Sequence, residues 1–149
     1  MYKKIVVATD GSKTSLQAAR QGMDLARRFK ADLKIVYVID QRVFFFPHEV
    51  QELTTENPYF TVLNELRDNA QAVMDSLTKE AEKHMVEFEP LIREGQIIDE
   101  ILKVIKEAKA DLLILGTHGQ TGEARGVLGS TAQALVVLVD CSMLLVSNK

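Results

Sequence analysis

Five of the chain's eight glycines fall in one stretch, ILGTHGQTGEARGVLGST (Ile114 to Thr131), as Gly116, Gly119, Gly122, Gly126 and Gly129. Glycine gives up more backbone freedom on folding than any other residue, so such a cluster suggests that something must approach the main chain closely. Bare backbone amides, joined by the unpaired N–H groups of a helix expected to begin near Ser130, make a cradle for phosphate. Ser130 adds a hydroxyl donor, and His118 and Arg125 are available as cationic donors. A surface loop without a ligand is the alternative, and the number of glycines alone does not separate the two. A single carboxylate, Asp10 in TDGS, stands where a second wall of such a site would lie. Beside a phosphate tail it would be repelled. It makes better sense accepting a hydrogen bond from an amino or hydroxyl group, meeting a divalent ion, or capping the helix that follows.

These residues need a scaffold, and the apolar pattern supplies one. Ile5 to Ala8 reads as a strand buried on both faces, ended by Asp10-Gly11-Ser12. Ser12 can cap a first helix whose Leu16, Ala19, Met23, Ala26 and Phe29 recur on one face. ADLKIVYVID is the second strand. QRVFFFPHEVQELTTENPYF then reads as a long connection, its Phe44-Phe45-Phe46 run covering a core edge or dimer surface, or serving a partner. From Leu63 the positions Leu66, Ala70, Val73, Leu77, Ala81 and His84 follow helical spacing to about Glu87, with His84 a solvated or hydrogen-bonded histidine. FEPLIREG is a third strand; Ile98, Ile101, Leu102, Ile105 and Ala108 mark the next helix, DLLIL the fourth strand and SMLLVS the last. The segment AQALVVLVD is expected to be helical despite β-branched content that also suits a strand.

Alternating strands and helices fold into an open parallel sheet covered on both faces, an α/β protein with five strands. Ligands of such sheets lie beyond the carboxyl ends of the strands where the strand order reverses. The loops that meet there are TDGS, VID and the glycine stretch.

Composition bounds the rest. A chain of 149 residues, 46% hydrophobic, is expected to form one domain spanning 1–149. Its apolar runs fall far short of the roughly 20 residues that cross a bilayer, and the start MYKK leads straight into a strand, so no membrane insertion and a cytoplasmic location are expected. The net charge of −3, without a basic stripe, argues against a nucleic-acid partner. Cys141, the one cysteine, is expected to be passive.

Two familiar phosphate motifs do not fit. A Walker loop needs lysine after its last glycine, where this chain has Ser130-Thr131. The dinucleotide fingerprint belongs after the first strand, which here carries only TDGS. The spacing Gly116-Thr117-His118-Gly119, nine residues, Gly129-Ser130 instead matches Gly-x2-Gly-x9-Gly-Ser/Thr. With KKIVVATDGS, KIVYVID and REGQIIDEILKVIKEAKADLLILGTHG, the chain resembles the universal stress proteins over its whole length, and among them the ATP-binding branch.

That resemblance implies a Rossmann-like fold of the adenine nucleotide alpha hydrolase type, strand order 3-2-1-4-5, and a site for ATP with Mg2+. Asp10 would lie by the adenine or ribose and Val38 against adenine. Gly116 and Gly119 would approach ribose and phosphates, Gly129 and Ser130 would hold the phosphate tail, and Thr131 would donate its amide. Ala8, Thr9, Leu115, His118, Arg125 and Ala132 complete the implied site. Ala132 stands where many members carry another hydroxyl, and CSMLLVS lacks the usual proline before the last strand, through which members commonly form homodimers.

Hydrolysis would need a group to position water and a clamp on the leaving phosphate. Asp10 is the one evident carboxylate, with Glu123 a loop candidate, so no catalytic residue and no resident metal site are assigned. The expected function is nucleotide-dependent regulation in stress response, with an unidentified protein partner possible. A slow ATPase or nucleotidyl transferase on the same fold, and a dimeric interaction module that needs no nucleotide, are the two alternatives.

Overall fold

The computed structural model describes residues 1–40, 58–118 and 128–147. Expectations for Phe44-Phe45-Phe46, Gly119, Gly122, Glu123, Arg125 and Gly126 lie outside the described residues. The elements run β1 (Lys4–Thr9), α1 (Lys13–Phe29), β2 (Asp32–Asp40), α2 (Pro58–Lys83), β3 (Glu89–Gly95), α3 (Ile97–Ala108), β4 (Leu112–Gly116), α4 (Ser130–Leu138) and β5 (Ser142–Val146).

All strand pairs are parallel and the order is β3-β2-β1-β4-β5, as the resemblance implies. Side chains alternate across a strand, so each continuous apolar run serves two cores at once. Ile5, Val7, Ile35 and Ile114 point to the layer made with Met23, Ala26, Met74 and Leu77 of α1 and α2. Val6, Val36, Leu113 and Leu115 point to the opposite layer, against Ile101, Val104, Ala132 and Leu135 of α3 and α4. Register places Val7 beside both Ile35 and Ile114, which makes β1 the central strand. The chain steps outward from β1 through β2 to β3, then returns to β4 on the other side. The reversal between β1 and β4 opens a crevice at the strands' carboxyl ends.

Three local expectations change. Helix α2 begins at Pro58, five residues before Leu63, because proline is pre-organised for a first helical position and is no barrier there. It ends at Lys83, so His84 lies beyond it and is exposed, and Met85 turns the chain with φ 54°. Phe29 closes the apolar stripe of α1 but is 37% exposed; it meets Tyr2 edge-on, ring centroids 5.8 Å apart, at the margin of the core. The segment from Ser130 is a helix, as expected, its β-branched Val136 and Val137 facing outward where they do not disturb packing.

Candidate functional site

The crevice is built from the two loops that flank the reversal. After β1 the chain turns through Asp10 and Gly11 into Ser12, the N-cap of α1, whose hydroxyl accepts from the Ser15 amide at 3.3 Å. Capping therefore belongs to Ser12. Asp10 serves the turn instead, with Oδ1 accepting from the Ser12 amide at 2.9 Å, and it lines the crevice.

After β4 the main chain of Thr117 is fixed from both sides. Its amide donates to the Val146 carbonyl at 2.9 Å and its carbonyl accepts from the Gly129 amide at 2.7 Å. That second bond brings the start of α4 back to the end of β4. It also answers why glycine stands at two of the motif positions. A Cβ at Gly129 would lie 2.9 Å from the Thr117 carbonyl oxygen, and one at Gly116 would lie 2.9 Å from Thr14 Cγ2 and 3.2 Å from the Ser15 amide nitrogen. What comes so close at Gly116 and Gly129 is the protein's own chain. The fold is thus a sufficient reason for glycine at these two positions, where it lets the crevice walls meet, beside the ligand that the sequence suggests.

Three helices bring their first turns to this crevice: α3 enters at Ile97 and carries Asp99 and Glu100 in its first turn, while α1 and α4 begin differently from each other. Helix α1 has a side-chain cap and a carboxylate at its head, which offsets the positive end of its dipole. Helix α4 starts from Gly129 with no side-chain cap, and its first intrahelical bond is donated by Gln133. The amides of Ser130, Thr131 and Ala132 precede that bond and so have no acceptor within the helix. Ala132 is 1% exposed, its methyl sunk into the core, so it offers its amide alone.

Eleven of the thirteen expected site residues line one cavity of about 520 Å3: Ala8, Thr9, Asp10, Val38, Leu115, Gly116, His118, Gly129, Ser130, Thr131 and Ala132. The other two, Gly119 and Arg125, lie outside the described residues. The cavity has a polarity. Val38 of β2 with Ile97 and Ile101 of α3 makes an apolar end, Asp10 stands near the middle over β1, and the open amides of α4 make the other end. His118 joins that second end with its ring oriented by a 2.9 Å hydrogen bond between Nδ1 and Thr117 Oγ1.

Sequence reasoning missed Ser15, Val36, Tyr37, Leu66, Ile97 and Ile101 as lining residues, and reached Ile39 and Asp40 only as part of the VID loop. Leu66, Ile97 and Ile101 look like ordinary members of a helix stripe. Asp40 carried a signal, since it ends β2 on the ligand-bearing edge of the sheet.

A wider depression of about 1150 Å3 lies at the opposite edge, where α1, α2 and α3 end. Mixed charges, including Lys4, Lys34, Glu82 and Glu107, line it. Helix C-termini present carbonyls there, so it lacks the amide cradle of the smaller crevice. Cys141 is half-buried, and burial pushes its thiol up, with Asp111 and Asp140 adding to the effect. It stays a protonated thiol near neutrality, as a passive cysteine should. Among the described residues no helix is long and apolar enough to cross a membrane.

A doubly wound parallel sheet with a polarised crevice at its switch point defines the class of this protein. Within that class the chain belongs to the universal stress protein family, which matches residues 1–147. Universal stress protein MJ0531 of Methanocaldococcus jannaschii is 34% identical over 148 residues, covering 99% of this chain and 84% of that protein. The solved structure of MJ0577, from the same organism, matches with a TM-score of 0.84 at 26% identity, covering 100% of this chain and 98% of that one. A universal stress protein crystallised in complex with cAMP shares the fold, with a TM-score of 0.71 and 24% identity over 97% of each chain.

Proposed function

We propose that the crevice binds ATP, accompanied by Mg2+, and that the bound nucleotide biases the conformation or partner choice of a cytoplasmic stress-response protein. The observation that carries this reading is the contrast between the N-terminus of α4, with neither a side-chain cap nor an acidic residue in its first turn, and those of α1 and α3, which carry carboxylates. An anionic tail is repelled from the Asp10 side and finds open amides at Ser130, Thr131 and Ala132. An adenine ring then falls at the apolar end, against Val38, Ile97 and Ile101, with the ribose hydroxyls beside Asp10. A cavity of about 520 Å3 is of the size that holds a small ligand. The likeness in fold to a universal stress protein complexed with cAMP supports an adenine nucleotide as the ligand class.

Mg2+ in this reading travels with the phosphates at the α4 end and keeps most of its waters, with no protein ligand assigned to it. Gly119 remains part of the proposed contact set through the family motif, and Arg125 as a cationic donor from the glycine stretch. Calorimetric titration with ATP in magnesium buffer is expected to show one saturable site per chain. Absence of binding at millimolar ATP would overturn the reading.

The same reading includes a homodimer through β5. Among the described residues that strand is an edge of the sheet, paired on one side only, with β4. The helix leading into it exposes Val136, Val137 and Leu138 at 52%, 79% and 51%. Adjacent apolar side chains left in water on one helix end are the mark of a covered surface. Val137→Lys is expected to shift the protein from dimer to monomer in sedimentation velocity, and an unchanged dimer would place the interface elsewhere.

A further inference from the structure

Among the described residues, the buried polar side chains are Thr9, Thr14 and Ser15, and all three sit where β1, α1 and β4 meet beneath the crevice. Burying a hydroxyl costs free energy unless its hydrogen bonds are complete. For Thr9 and Ser15 they are complete in one way only. Ser15 Oγ donates its single proton to the Ser12 carbonyl at 3.0 Å. It must then accept from the Thr9 hydroxyl, 2.8 Å away, and it also accepts from the Asp10 amide at 3.2 Å. Thr9 Oγ1 in turn accepts from the Gly11 amide at 3.2 Å. One pair of hydroxyls thereby holds the backbone of Asp10, Gly11 and Ser12. A chain of bonds of this kind, out of water, is stronger than its members singly. Gly116, at the end of β4, abuts the same joint, since a Cβ there would press on Thr14 and Ser15.

We propose that Ser15, acting with the side chain of Thr9, is a positioning residue: the pair sets where the Asp10 carboxylate is presented, and so governs affinity for the nucleoside half of the ligand. The inference rests on the nucleotide reading above. It also goes beyond it, because the anionic half is assigned to α4, on the far wall, and owes nothing to this pair. The two halves of the ligand therefore respond differently to loss of the Ser15 hydroxyl.

The test compares adenosine with inorganic tripolyphosphate, each titrated by calorimetry into the full chain. In Ser15→Ala, adenosine affinity falls about tenfold while that for tripolyphosphate stays within about twofold. Thr9→Val, which keeps the side chain's shape, produces the same split, and the double variant loses less than the sum of the two single losses because both remove one shared bond. Amide hydrogen exchange read by NMR accelerates at Asp10 and Gly11 but not within β1. Unchanged adenosine affinity in both variants would overturn the inference, as would a parallel loss of both ligands with a lowered unfolding midpoint, which would mark the pair as structural only. Wild-type protein that binds neither adenosine nor tripolyphosphate overturns the nucleotide reading and this inference with it; intact binding in wild type and variants alike overturns the inference alone.

Discussion

Gly129→Val loses ATP binding and thermal stability together. A Cβ at this position lies 2.9 Å from the Thr117 carbonyl oxygen, which is main chain and is already held by the Gly129 amide at 2.7 Å. Valine carries two further methyl groups into the same space, so the start of α4 must move away from the end of β4. Overpacking of this kind costs about 1–3 kcal/mol, and in a chain of this size each kcal/mol lowers the unfolding midpoint by roughly 2–4 °C. The displaced segment is the one that presents the amides of Ser130, Thr131 and Ala132. ATP affinity is therefore expected to fall by about 100-fold or more, equivalent to about 2.7 kcal/mol. Calorimetric titration and thermal unfolding of the same preparation check both halves. A variant with native stability and native affinity would show that the Thr117 contact yields easily and that glycine is not required at 129.

The layout of the fold was legible because its physical signal is redundant. Strands buried on both faces need unbroken apolar runs, and KIVVAT, IVYVI and LLIL each provide one, with helix-spaced stripes between them. Eleven residues lining the crevice were legible through the family motif and the rule that ligands sit at the carboxyl edge of the sheet. The helix bounds were less so: Pro58 reads as a breaker in a chain of loop-forming residues, yet it is the first residue of α2. The significance of the glycines stayed open for a different reason. Sequence shows that Cβ atoms are absent at Gly116 and Gly129 but not what fills the space, and both a ligand and a neighbouring strand end would select the same residue. Ser15 was invisible for a related reason, since a serine in a helix's first turn looks like a solvated residue until tertiary contacts show it 4% exposed with its hydroxyl committed.

That ambiguity means Gly129→Val cannot by itself separate a ligand's demand from the fold's, and Ser130→Asp can. Ser130 is exposed, so the change disturbs no packing. A carboxylate in the first turn of α4 sits against open amides at the positive end of the helix dipole, where it stabilises the helix by about 0.3–1 kcal/mol. The same carboxylate occupies the place proposed for the phosphate tail and repels it. Stability and affinity must therefore move in opposite directions, with a slightly raised unfolding midpoint and ATP affinity lower by about 100-fold. Because the added charge acts on the anionic half, adenosine affinity should change little, the mirror image of the response expected from Ser15→Ala. High salt partly restores ATP binding in Ser130→Asp if the loss is electrostatic, since screening weakens the repulsion at an exposed position. A Ser130→Asp protein that keeps its ATP affinity would remove α4 from the binding site, and with it the reason to orient the nucleotide across the crevice from β2 to β4.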